Sequence, residues 1–208
     1  MTDPITINPK PNGPLHVTGT ISLSNSKGEA VATEAQFWLC RCGGSANKPF
    51  CDGTHKRNGF ASARESDPAK RASVDYAGKQ LTIHDNRSIC AHAGHCTEHS
   101  PAVFSMKTEP WIDADADAVA QTVATIEMCP SGALAYSIDG VRHEHTGRAP
   151  AIRIAKDGPY EVVGGPQLLG DDAPVSSEHY TLCRCGQSKN KPFCDGTHWA
   201  IKFTDDKN

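Results

Sequence analysis

Apolar positions change rhythm twice along the chain. Near the N-terminus, short apolar runs at Ile7, Leu15-His16-Val17 and Phe37-Trp38-Leu39 are separated by Gly13-Pro14 and Gly19. Runs this brief and this often interrupted predict short β-strands joined by turns. The same order returns near the C-terminus as Ile154, Gly158-Pro159-Tyr160-Glu161-Val162, Gly164 and Tyr180-Thr181-Leu182. Between about Ala72 and Gly140 the pattern differs. Val74-Asp75-Tyr76, a turn at Ala77-Gly78, and Leu81-Thr82-Ile83 predict a hairpin. From Asp113 to about Glu127 the spacing is helical, with Val119, Val123 and Ile126 at i, i+4 and i+7. That stripe reads as the core face of a helix.

The repeat reaches its highest identity in CRCGGSANKPFCDGTH, Cys40 to His55, and CRCGQSKNKPFCDGTH, Cys183 to His198. Each copy predicts a ligand loop, then a short helix with Asp52 or Asp195 at its N-cap, then a strand around Phe60 or Phe203. Polar, Pro- and Gly-bearing stretches at Glu65-Ser66-Asp67-Pro68 and Thr146-Gly147-Arg148-Ala149-Pro150 read as linkers. They divide the chain into residues 1–67, 68–145 and 146–208, a β-rich α+β organisation of two similar small units around a different one. Each outer segment is small enough that a hydrophobic core alone is marginal, so a bound metal group would act as a staple.

The chain has nine cysteines, an odd number. Cys40 and Cys42, like Cys183 and Cys185, are one residue apart, a poor geometry for a mutual disulfide. Cys90, Cys96 and Cys129 form a third set of three. Reduced thiolates holding metal in a reducing compartment are the better reading. A net charge of −3 with no Lys/Arg run argues against nucleic acid and anionic membrane as partners. No apolar run approaches the ~18 residues of a membrane-spanning helix, and the opening MTDPITINPK lacks signal-peptide regions. A cytoplasmic location is the default expectation.

Three thiolates and one imidazole per motif form a soft donor set that selects zinc or an iron–sulfur cluster. A closed Cys3His zinc site is a common structural solution. Zinc cysteines, however, usually stand two or more residues apart. Here a CxC pair precedes a long gap to Cys51 or Cys194, with His55 or His198 just beyond. The spacing suits Cys40 with Cys42 on one iron and Cys51 with His55 on another. It favours iron–sulfur and leaves zinc open.

The pattern CxCxxSxxxPxCDGxH resembles the CDGSH iron–sulfur (NEET) family, with Thr54 and Thr197 in the variable position. The resemblance covers the two outer thirds of the chain. It implies a 2Fe-2S cluster at each site, held by Cys40, Cys42, Cys51, His55 and by Cys183, Cys185, Cys194, His198. Many family members build their site in a homodimer or carry two motifs close together, whereas here a domain separates the copies. Whether the copies pack on each other is open at this stage. One neutral imidazole among thiolates makes a cluster less negative and raises its potential. Imidazole can also be protonated near neutral pH and release iron. Ser45, Ser188, Lys48 and Lys191 are read as hydrogen-bond donors to the cluster or as solvated loop residues. Lys56-Arg57 follows the first histidine where Trp199-Ala200 follows the second, so the two sites are expected to differ electrostatically.

In the centre, SICAHAGHC, VFSMKTEPWI and EMCPSGALAY resemble single-cluster bacterial ferredoxins over about Ser73 to Tyr136. Of the usual CxxCxxC with a distant CP, Cys90 and Cys96 are the first and third cysteines and Cys129-Pro130 the distant one. Ala93 fills the second slot. The three thiolates imply a 3Fe-4S cluster. The alternative is a 4Fe-4S cluster with a non-cysteine fourth ligand, His92 or His95, although both also read as exposed loop histidines. His84, His99, His143 and His145 read as surface residues. Pro130 ends a helix, and Ser131-Gly132-Ala133-Leu134 is expected to open another that faces the cluster.

No Walker loop, GxSxG elbow or dinucleotide fingerprint is present, and His143-Glu144-His145 is too short for HExxH. The chain therefore reads as a soluble electron carrier without a catalytic site of its own, working with redox partner proteins. The rival reading is transfer of clusters to apo iron–sulfur acceptors, or redox and pH sensing through the histidine-ligated clusters. A third is a zinc-stabilised scaffold.

Overall fold

The N-terminal segment forms β1 (Thr6–Pro9), β2 (Leu15–Thr18), β3 (Ser22–Ser24) and β4 (Gln36–Leu39). The middle forms β5 (Val74–Ala77), β6 (Thr82–Asp85), α1 (His95–His99), α2 (Val119–Glu127), β7 (Leu134–Ile138) and β8 (Val141–His143). The last segment forms β9 (Ala151–Ile154), β10 (Tyr160–Val163), β11 (Gln167–Leu168), β12 (Tyr180–Leu182) and α3 (Thr197–Ala200). The computed structural model describes residues 4–143, 147–170 and 172–208. Glu144, His145 and Thr146 lie outside them.

The outer segments are interleaved. β1, β2 and β4 form an antiparallel set, and its free edge at β1 pairs in parallel with β11 of the other repeat, Ile7 opposite Leu168. Reciprocally, β9, β10 and β12 form the second set, and β9 pairs in parallel with β3, Ile152 opposite Leu23. The third strand of each repeat thus completes the other repeat's sheet, covering edges that would otherwise be unpaired. Leu15 and Val17 point inward while His16 and Thr18 alternate outward, as do Phe37 and Leu39 against Trp38. The inward residues of both repeats merge into one core with Ile152, Ile154, Tyr160, Val162, Tyr180 and Leu182. Full burial of each such aliphatic side chain contributes roughly 1.5–3 kcal/mol.

The two CxC loops meet at the centre of this pair. A Cβ on Gly43 would lie 2.5 Å from the carbonyl oxygen of Cys185, and one on Gly186 would lie 2.6 Å from that of Cys42. Both glycines have positive φ, 76° and 83°. Two backbones approach here as only glycine permits.

The middle segment is a separate four-stranded antiparallel sheet, ordered β5-β6-β7-β8. Ile83, Leu134 and Tyr136 of this sheet form a core with Ile126 of α2, and Val119 and Val123 pack against it. Ile89 and Ala133 belong instead to the core of the outer pair, so the middle segment is docked on it. Among the described residues, no helix is long and apolar enough to cross a membrane.

Four local expectations are corrected. The helix starts at Val119, not Asp113. The Asp113 carboxylate accepts from the Asp115 N–H, and Asp115 accepts from the Lys79 N–H, side-chain bonds that compete with helix formation. Ser131–Ala133 is a turn leading into β7, not a helix. Ser131 Oγ accepts the Ala133 N–H and Gly132 has φ 68°. The N-cap positions after the motif cysteines are Gly53 and Gly196. Asp52 and Asp195 stand one residue earlier and accept the N–H of Thr54 and Thr197, each at 3.0 Å. Finally, Phe60 and Phe203 are not in strands. Their rings cover the guanidinium groups of Arg41 and Arg184, at 5.4 and 5.0 Å.

Candidate metal centres

In each outer motif the strand before it sets the geometry. Leu39 bridges to Phe50 and Leu182 to Phe193, and the Cys40 and Cys183 N–H groups donate to Pro49 and Pro192. The chain thereby folds back, and Cys51 and Cys194 return beside the strand they left. Ser45 Oγ donates to the Phe50 carbonyl and Lys48 Nζ to the Ser45 carbonyl. Ser188 and Lys191 do the same in the second copy. These four residues brace the loop rather than sit in solvent as free donors.

The potential ligands form close pairs. Cys40 and Cys42 Sγ are 3.7 Å apart, and Cys183 and Cys185 Sγ 3.8 Å. Cys51 Sγ lies 3.4 Å from His55 Nδ1, as Cys194 Sγ does from His198 Nδ1. Two sulfurs sharing one tetrahedral metal at ~2.3 Å bonds stand about 3.7 Å apart, and a sulfur and a nitrogen about 3.5 Å. The N–H groups of Gly53 and Gly196 point at Cys51 and Cys194 Sγ, each 3.5 Å away.

Burial pushes the Cys40 thiol up to about 11 and raises Cys194 strongly. Cys183 is raised first by its hydrogen bond with Cys185, which that bond lowers in turn. Buried sulfurs of this kind ionise when a cation accompanies them, which a bound metal does. The residue between each CxC pair is a buried arginine. Arg41 Nε donates to Gly13 O and Arg184 Nε to Gly158 O, so the upstream Gly-Pro turns seat these guanidinium groups. Arg184 also pairs with Asp205. Burial lowers Arg41 to about 10, while the opposite repeat's Cys183 acts to raise it.

The two sites differ in access. Cys194 and His198 are 3% and 6% exposed, whereas Cys51 and His55 are only half-buried. An open groove lined by Phe37, Trp38 and Phe50 leads to Cys51.

In the middle segment, Cys90, Cys96 and Cys129 line one cavity of about 270 Å³ together with His92, Ala93, His95, Arg87 and Trp111. Burial pushes Cys90 up to about 11 and raises Cys96. Among the described residues, His95 Nδ1 is buried without a hydrogen-bond partner, and His95 also groups with Glu98 and His99. His84 is not a free surface residue, because its ring bonds Asp75 at 2.6 Å and Ser137 at 2.7 Å. His143 is exposed and stacks on Tyr136.

Arg41, Arg184, Tyr160 and the contact of His92 with the second motif are the site features that motif reading missed. An identical arginine between the cysteines of both copies was a signal available in the repeat.

Two family profiles match the chain. One, described as a divergent 4Fe-4S mono-cluster, covers residues 76–139. The other, described as an iron-binding zinc finger of CDGSH type, covers residues 12–56 and 157–199. The chain is also similar to the uncharacterized protein YjdI of Escherichia coli strain K12 and to that of E. coli O157:H7. Each is 41% identical over 61 residues, spanning 29% of this chain and 80% of YjdI. The chain belongs to the iron–sulfur proteins in which a divergent 4Fe-4S ferredoxin-like domain is flanked by two CDGSH-type iron-binding units.

Proposed function

We propose that the chain is a multi-cluster electron carrier with cluster-bearing segments at residues 1–67, 68–145 and 146–208. Cys40, Cys42, Cys51 and His55 hold one 2Fe-2S cluster, and Cys183, Cys185, Cys194 and His198 another. Cys90, Cys96 and Cys129 hold a 3Fe-4S cluster. The observation that carries this reading is the pairing of the outer ligands at single-metal distances. Among the described residues, three or more ligand atoms lie mutually within 4.8 Å only at His95, Glu98 and His99. The outer sets therefore make two pairs each, as two irons need, rather than the one tetrahedron a zinc ion needs.

The clusters supply one-electron redox chemistry when bound. The protein's own residues do the rest. Arg41 places positive charge within reach of Cys183, and the glycine N–H groups donate to sulfur, both of which favour the reduced, more negative state. The free cysteines suit a reducing, cytoplasmic setting, and redox proteins are the partners this reading calls for. No catalytic site of its own is assigned.

Protein purified without oxygen should contain about seven irons and about eight sulfides per chain. Zinc at full occupancy in the outer sites would overturn the reading. An iron count near eight supports a 4Fe-4S centre in the middle, a form favoured by His95 Nδ1 in that cavity, which lacks a hydrogen-bond partner among the described residues. Delivery of clusters to apo acceptors is the second reading, favoured by the half-buried His55 of the N-terminal site. Histidine-dependent loss of cluster to an apo-ferredoxin, faster than electron exchange with any reductase, would replace the carrier assignment.

A further inference from the structure

Of the two CDG turns, one is open and one is covered. A Cβ built on Gly53 meets nothing within 4 Å, whereas one on Gly196 would stand 2.5 Å from Nδ1 and 2.7 Å from Cε1 of His92. The covering imidazole comes from the loop that lines the central cavity. His92 holds φ 54°, a left-handed conformation that a residue with a side chain seldom adopts. The same loop is tied to the second motif by Asn190, whose Nδ2 donates to the Ser88 carbonyl at 2.8 Å. Asn190 Oδ1 in turn accepts from Ser66, and the Glu65 and Ser66 N–H groups donate to Lys189. The segment read as a free linker is thus part of the clamp. On this clamped side Cys194 and His198 are buried, whereas Cys51 and His55 on the other are half-buried. Cys90 and His92 also lie within electrostatic reach of Cys194 and His198 respectively.

We propose that His92 is a positioning residue that seals the C-terminal CDGSH centre against the central one. The two form a shielded pair, and the N-terminal centre is the one open to chelators and partner proteins. This rests on the iron–sulfur reading above.

The test is loss of metal to a strong iron chelator from the fully loaded protein, followed by visible circular dichroism. Cys51→Ala and Cys194→Ala variants assign the signal of each outer centre. Wild type should lose the N-terminal centre first. His92→Gly removes the ring together with its Cγ, which a Cβ on Gly196 would meet at 2.8 Å, and adopts the left-handed backbone freely. It should speed loss of the C-terminal centre roughly fivefold or more and leave the N-terminal rate unchanged.

Gly196→Ala and Gly53→Ala carry the same backbone strain, φ 82° and 84°, but only Gly196→Ala meets His92. It should therefore labilise the C-terminal centre more than Gly53→Ala labilises the N-terminal one. Combining it with His92→Gly should add little, a non-additivity that general destabilisation does not produce. Equal loss rates for both outer centres in wild type, or fully additive effects in the double variant, would overturn the proposal. If the outer sites instead hold zinc, the function reading falls, while zinc release to a chromogenic chelator in the same variants still decides the role of His92.

Discussion

The phenol of Tyr160, on β10, donates to the carbonyl of Cys40 in the other repeat at 2.7 Å, with the Pro49 carbonyl at 3.1 Å. Full burial raises the pKa of this phenol well above its usual range, and Cys40 and Cys183 add to the rise from either side, so it stands between the two motifs. Leu15 occupies the equivalent place in the first repeat, and the link is therefore one-sided. Tyr160→Phe leaves two buried carbonyls without this donor and should cost about 1–2 kcal/mol. Denaturant unfolding of the loaded protein checks the value. A loss confined to the N-terminal centre's chelation rate, with no change in unfolding, would contradict a structural role.

Gly43→Ala and Gly186→Ala each drive a methyl group into the facing carbonyl while holding a left-handed backbone. Each should destabilise by about 3 kcal/mol or more, through a shift of the whole outer pair. Gly28 has φ 82° in open space, so Gly28→Ala should cost only about 1 kcal/mol. Similar denaturation midpoints for all three variants would show that the two CxC loops do not meet in solution.

Asp85 is 2% exposed, and burial raises its carboxyl to about 6 despite Arg87 and the Trp111 N–H, which act to lower it. The folded protein thus holds this proton more tightly than the unfolded chain, whose carboxyl titrates near ~4. Its contribution to stability is present below about pH 4 and is lost as pH rises through about 6. Asp85→Asn keeps an acceptor for Trp111 and removes that loss. The variant should be more stable than wild type by about 2 kcal/mol at pH 7.5 and nearly equal at pH 4. Thermal melts at both pH values decide it. A deficit that is the same at each would mean the carboxylate is not penalised by burial.

His55→Cys and His198→Cys add a negative ligand to each outer centre. Each should lower that centre's reduction potential by on the order of 100 mV. Potentiometry followed by paramagnetic resonance would read the two shifts separately. No change in either variant would remove the histidines from the ligand set.

Motif spacing made the grouping of the outer Cys and His residues readable, because Cys40, Cys42, Cys51 and His55 lie within one loop and its flanking strand end. The hairpin and the α2 stripe of Val119, Val123 and Ile126 were readable for the same local reason. The longer helix was not, because Asp113, Asp115 and Asp117 offer their carboxylates to nearby N–H groups, and propensity alone does not reveal which bonds win. The docking of His92 on Gly196 and of Tyr160 on Cys40 depends on residues distant in sequence. Nothing in the repeat distinguishes such contacts from separate, unattached copies.

The exchange of third strands sets an order of events during synthesis. β1 has its parallel neighbour only once Gln167 and Leu168 exist, and β3 must wait for Ala151–Ile154. A chain emerging from the ribosome can present Cys40, Cys42, Cys51 and His55 while their sheet is still incomplete. The first motif loop therefore reaches its final form only once synthesis of the last repeat is under way. Truncation before Gln167 would damage the first sheet in the chain as well as the last.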